Sequence, residues 1–351
     1  PKLYTSTGND NLAITGVGFE ADLTWIKKAA VVSGSNTNEA HYWVDQVRGY
    51  DKWISSSSTN AAQTYTNDLK SWQSDGFTLG TNNRVNQGST PHTYAAWNWK
   101  ANGAGSSNSD ATGSYPITST VSVNQTGGFS IVKYTGNGYS TATIGHGLGV
   151  KPAMVIMRPL GYSGAWWIAH KNLSTDNVLE FNTNAQAAIS SFGGGGLKYS
   201  TFTTSVIGGG NGSSNSDLWN KSGEDYIAYC FADVQGYSRT GSFTVNGNST
   251  NMIYTGFRPS FLLMKQYSST SGNAQWGVFD NTRSGYNGKN DFLYANTEAS
   301  EDSSNAQTLD FLSNGFRLYG EYVSAQAGQS NIYYAVGQTL VGTNGITNNA
   351  R

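Results

Sequence analysis

An internal repeat at constant spacing constrains this chain more than any other feature of its sequence. Segments 14–27, 144–158 and 253–265 each pass a glycine-containing turn and then run through a short apolar stretch closed by Lys27, Arg158 or Lys265. An aromatic-rich stretch follows in each copy, at 41–45, 166–170 and 276–280. Each copy closes on a tyrosine-led strand starting at Tyr94, Tyr226 or Tyr333. From closing cation to closing tyrosine the distances are 67, 68 and 68 residues. Chance similarity would not hold that spacing three times, so the chain is read as three versions of one unit.

Short runs with period-2 alternation recur, as at 129–134 and 242–245, while sustained 3.6-residue periodicity is scarce. Asp75-Gly76 and Asn314-Gly315 are tight-turn signals, because both residue types tolerate positive φ. The equivalent turn and strand of the middle copy is read at 199–203. These features predict an all-β fold of three tandem antiparallel β-sandwich units of jelly-roll, lectin-like type. The boundaries read as 1–100, a polar linker at 101–118, then 119–235 and 236–351. The one helical turn expected lies at 61–72. The short junction at 233–239 predicts rigid apposition of the second and third units.

Aromatic residues make up 13% of the chain, which supplies core material and argues against disorder. The 21 basic and 22 acidic residues leave no basic stripe for nucleic acid, and no apolar run is long enough to insert in a membrane as a helix. The start at Pro1 shows neither Met nor a leader pattern and reads as an internal cut or trimmed terminus. Cys230 is alone, within the apolar stretch 226–231, and reads as a small buried hydrophobe.

No catalytic constellation emerges. There is no Gly-x-Ser-x-Gly elbow, and His41, His92, His146 and His170 show no metal-ligand spacing. His170 stands where the other copies carry Asp45 and Asp280. Asp45 with Arg48 and Asp280 with Arg283 recur at one point of the first and third copies, as a sugar-holding pair or a charged corner. No cofactor is expected. The oxygen-rich loops 108–110 and 215–217 suit calcium, but they lack a calcium-loop pattern, and polar turns explain them equally. The glycine-rich stretches 193–196 and 208–212 lead into no helix and so form no phosphate cradle. Trp53, Trp72 and Trp219 fall outside the recurrent strands and are candidates for stacking on a sugar or a partner chain.

Several stretches resemble repeated modules in virion structural and tail-fibre proteins of tailed bacteriophages, marine ones among them. They are 94–103, 119–132 running on to 146–152, and 254–259 with 279–281, 294–296 and 312–316. The end, 337–342 to 350–351, resembles the C-terminal end of such proteins. The resemblance implies a non-enzymatic protein on the exterior of a virion: a tail fibre, spike or capsid-attached fibre displaying lectin-like domains for attachment to a host-surface glycan. It implies other virion proteins and further copies of the chain as partners, with a homotrimer favoured. A glycan-degrading depolymerase of a tail spike and a purely scaffolding module are the alternatives.

Overall fold

The computed structural model describes residues 1–29, 39–88, 90–173, 177–185, 189–190, 196–210, 218–246, 250–268, 274–283, 287, 291–301, 308–319 and 326–337. Among these the fold is all-β and sandwich-like, and every strand pair but one is antiparallel. The first repeat builds a six-stranded sheet in the order Lys2–Thr5, Thr93–Trp99, Leu23–Lys28, Tyr42–Asp45, Lys52–Ile54, Gln63–Thr64. The third builds Ser238–Thr244, Ser330–Gly337, Pro259–Gln266, Gly277–Asp280, Leu293–Tyr294. The second places Phe129–Thr135, Asp225–Phe231, Met154–Pro159, Trp167–His170 and Asn177–Glu180 in the same order. Two extra strands, Ser119–Asn124 and Ser106–Asn108, lie outside Phe129–Thr135.

Register confirms that the copies are equivalent. Trp25 lies opposite Trp43 and Trp97, Ile156 opposite Ile168 and Tyr229, and Leu263 opposite Val278 and Tyr334. The smaller three-stranded sheets repeat the pattern, with Ile14 opposite Phe77, Ile144 opposite Ile207 and Ile253 opposite Phe316.

The central strand of each large sheet is buried on both faces, and its alternation sorts side chains into two different cores. Tyr94 and Ala96 join an apolar cluster shared with the first small sheet, while Ala95, Trp97 and Trp99 point the other way. Tyr226, Ala228 and Cys230 face the second small sheet, opposite to Ile227, Tyr229 and Phe231. Tyr333 and Ala335 face the third, opposite to Ile332, Tyr334 and Val336. The outward set from all three repeats meets in one shared core. There Trp25 stacks on Trp43 at 4.3 Å between ring centroids, Trp43 meets Trp166 at 5.3 Å, and Phe181 lies edge-on to Trp276 at 5.1 Å. A two-residue period therefore yields four apolar cores from three repeats.

Three local expectations are corrected. Residues 101–118 are not a linker: Ser106–Asn108 and Pro116–Ile117 pair into the second repeat's two sheets. The stretch 61–72 carries no helix. Gln63–Thr64 pairs with Lys52–Ile54, and Leu69–Gln73 forms a hairpin with Gly76–Leu79, because threonine and aromatic residues there favour strand pairing. The helical turn is at Asn83–Asn86, capped by Asn82 Oδ1 accepting from Arg84 N. In the middle copy Tyr199–Thr201 is a 3₁₀ turn, and the strand equivalent to Gly76–Leu79 is Val206–Gly208.

At Gly76 and Gly315 the chain admits no side chain: a Cβ would lie 1.9 Å from the Ile14 carbonyl oxygen and 2.0 Å from that of Ile253, respectively. Gly76→Ala and Gly315→Ala should each cost about 2–3 kcal/mol in urea unfolding. Gly18→Ala, with open space around its Cβ, should cost less. Equal costs at all three positions would refute this account of the turn.

Candidate functional site: the seams between repeats

The three repeats join in a closed ring, visible as one hydrogen bond repeated three times. His41, Trp166 and Trp276 each precede the equivalent strand, and Ser55, Glu180 and Tyr294 are equivalent one strand further out. Trp166 Nε1 donates to the Ser55 carbonyl at 2.7 Å, from second repeat to first. Trp276 Nε1 donates to the Glu180 carbonyl at 2.9 Å, from third to second. His41 Nε2 bonds the Tyr294 carbonyl at 2.9 Å, from first to third. Trp25 Nε1 donates to His41 Nδ1 at 2.8 Å, so Nε2 carries the His41 proton and is the donor. The closing cations mark the same seams: Lys27 Nζ donates to the Glu298 carbonyl at 3.0 Å, and Arg158 Nη2 to that of Thr59 at 3.4 Å, an equivalent position. Burial lowers Lys27 to about 8, Arg158 to about 9 and Lys265 to about 7.

The recurrent Asp–Arg pairs lie at these seams and are sealed. Arg48 donates from its backbone N to Asp45 Oδ1 at 2.9 Å, from Nε to Oδ2 at 2.5 Å, and from Nη2 to the Trp43 carbonyl. Arg283 repeats the set on Asp280, at 2.9 and 2.7 Å, and on the equivalent Val278 carbonyl. Each carboxylate then takes a bond from the neighbouring repeat, Tyr229 OH on Asp45 at 2.8 Å and Trp97 Nε1 on Asp280 at 3.1 Å. Burial pushes the Asp280 carboxyl up, but the Arg283 charge and hydrogen bonds from Arg283 and Thr282 outweigh it, bringing the group down to about 2. All four residues are buried within the molecule, so none offers a free group to a sugar. The charged-corner reading describes them.

In the middle repeat the pair is replaced as a unit. His170 takes the Asp position and Leu173, in the shared core, takes the Arg position. His170 Nδ1 accepts from Asn172 N at 3.1 Å, and Nε2 faces the Tyr333 carbonyl of the third repeat at 3.2 Å. A neutral donor thus faces a carbonyl where the other copies set a carboxylate against a donor. The joint loss of acid and base was legible in the sequence at Leu173, which sequence reasoning passed over.

Two of the three tryptophan expectations, Trp53 and Trp219, are also corrected. Trp219 is 1% exposed, inside the second repeat's own core, with its ring over Gly209. Trp53 is 8% exposed, stacked on Tyr42 at 5.7 Å and covered by the Arg84 guanidinium at 4.2 Å. Trp72 is half-buried, its Nε1 donating to Thr24 Oγ1 at 3.2 Å. These rings pack on the second face of the first and second large sheets, which the recurrent-strand pattern did not reveal. Cys230 is buried, and burial pushes its thiol up to about 12. In the 108–110 loop, Asn108 Nδ2 donates to Asp110 Oδ2, and Asp110 N donates to Asn108 Oδ1. The 215–217 loop, residues 193–195 and 211–212 of the glycine-rich stretches, and 338–351 lie outside the described residues. Among the described residues no three His, Cys, Asp or Glu side chains gather to hold a metal ion, and no helix is long and apolar enough to cross a membrane.

The fold is all-β, built of several antiparallel sheets, and its buried ionisable residues serve contacts between those sheets. The chain belongs to the DUF7483 family, described as a domain of unknown function, whose family model matches residues 1–339. No curated protein matches the chain.

Two measurements follow from these seams. Asp45→Ala, which strands Arg48 in the core, should cost about 3–5 kcal/mol. Asp45→His combined with Arg48→Leu copies the middle repeat and should recover most of that loss. A double variant as unstable as the sum of its single changes would contradict the seam chemistry. The second concerns acid. His146 and His170 are lowered by burial to about 4, and burial also lowers His41 well below its ordinary value. Between pH 6.5 and 4 the unfolded chain binds protons that the folded one refuses, so stability falls as pH drops through that window, by about 2–3 kcal/mol for each of His146 and His170. Asp280, at about 2, adds its own loss as the unfolded carboxyl begins to protonate at the bottom of this window, and most of that loss falls below it. Chemical denaturation across this window should show the loss, and His170→Gln should flatten part of it.

Proposed function

We propose that this protein is a non-catalytic structural component of a bacteriophage virion, carried on the particle exterior, whose rigid body presents loops for attachment to a host-surface glycan. The reading takes the three repeats as three tandem jelly-roll, lectin-like sandwiches, with the strands at 106–108 and 116–117 belonging to the second. The observation that carries it is the closed ring of equivalent seam bonds. A head-to-tail contact that closes after three units gives a threefold-like body, and here one chain supplies all three. The homotrimer and the contacts with other virion proteins that the resemblance implies would then use the outer surfaces of this body. The burial of Asp45 and Asp280 leaves neither carboxylate open to a glycan, which favours display over cleavage.

In solution the 37.5 kDa chain should self-associate by light scattering, as a trimer. Mass spectrometry of particles from the phage encoding it should find the protein, and host polysaccharide incubated with it should gain no reducing ends. Absence from the particles, or new reducing ends, would overturn the proposal.

A further inference from the structure

The third repeat carries a surface feature that its two sister copies lack. Tyr254 and Met252 are 60% and 48% exposed, on one face of the strand Thr250–Tyr254. By register the same two positions hold Thr15 and Ala13 in the first repeat, and Gly145 and Thr143 in the second. The strand folds in all three copies, so these large apolar side chains are dispensable to it. Arg239, exposed on the edge strand Ser238–Thr244, sets its guanidinium 5.9 Å from the Tyr254 ring centroid. Its equivalent in the second repeat is the buried Ser130. In that repeat the edge is covered by Ser119–Asn124, whereas in the third no strand among the described residues pairs beyond it.

Two adjoining clefts of about 400 and 530 Å³ open here, both lined by Lys171, Arg239 and Tyr254. Their charged lining is Lys171, Arg239 and Asp233. Asp233 is already engaged: Oδ1 accepts from Thr240 N at 2.7 Å and Thr240 Oγ1 at 2.9 Å, and Oδ2 accepts from Lys171 Nζ. Arg239 hydrogen-bonds the Tyr333 hydroxyl, a neutral partner, and remains the excess positive charge beside an exposed aromatic face. A guanidinium fork binds a carboxylate through two hydrogen bonds, and a tyrosine ring stacks on the apolar C–H face of a pyranose.

We infer that this cleft binds an acidic saccharide, with a sugar ring on Tyr254 and its carboxylate on Arg239. The inference rests on the attachment reading above and names the ligand class and the place on the molecule that would engage it.

Trigalacturonate, with maltotriose as its neutral counterpart, is titrated against the full chain by saturation-transfer NMR. Trigalacturonate should bind with Kd on the order of 0.1–1 mM, and maltotriose more weakly. Tyr254→Ala should weaken trigalacturonate at least about tenfold, as loss of a ring contact predicts. Arg239→Gln should erase the preference for the acidic sugar, and Tyr50→Ala, an exposed tyrosine elsewhere, should change nothing. Each changed side chain is exposed, and circular dichroism should show every variant folded. No binding of trigalacturonate, or binding indifferent to Tyr254 and Arg239, would overturn the inference. Detection of the chain in virions would leave the attachment reading standing in that event, while its absence would defeat that reading whatever the cleft binds.

Discussion

The clustered indoles of Trp25, Trp43, Trp97 and Trp166, with Phe181 wedged among them, are the contact on which the rest of the molecule depends. They turn the outer face of each large sheet into an inner one. A sheet of a two-layer protein normally has a solvated side on which polar residues can stand. Here that side is spent on the shared core, so the central strands are apolar at nearly every position. Charge is admitted only in bound form. Arg48 and Arg283 each reach a carboxylate and a backbone carbonyl, and Lys27 and Arg158 reach carbonyls across a seam. Removing one member of such a set leaves the other without water or partner, which makes these contacts costly to break although they add little net attraction.

Closure of the ring within one polypeptide has a second consequence. In an assembly of identical chains every seam must use the same residues. Covalent linkage lifts that requirement, and the copies have diverged accordingly. His41 performs the bond made by Trp166 and Trp276, and His170 with Leu173 stands in for Asp with Arg. The same freedom lets the third repeat carry Arg239, Met252 and Tyr254 at positions its sisters fill with small or buried residues, without disturbing the strand beneath. Divergence among internal copies thus separates what the fold needs from what one face of the molecule adds.

Much of the architecture was legible in the chain itself. Spacing of Lys27, Arg158 and Lys265 from the closing tyrosines fixed the triplication, and Asp75-Gly76 with Asn314-Gly315 placed two hairpin turns, because local backbone chemistry writes those features directly. The tyrosine-led stretches 94–99, 226–231 and 333–336 likewise read as strands. What they could not announce was that both alternating sets are buried. An apolar residue carries no mark of which core it enters, so Trp53 and Trp219 read as surface rings and 101–118 as a tether. Asp45 and Asp280 read as a sugar-holding pair or a corner, because the Tyr229 and Trp97 donors that complete them lie 184 and 183 residues away. The sequence by itself determined strands, turns and the threefold repetition, all of which arise from short-range preferences. Only the tertiary structure decided which faces meet, since closing the ring depends on contacts between residues that the chain brings together only when all three copies have folded.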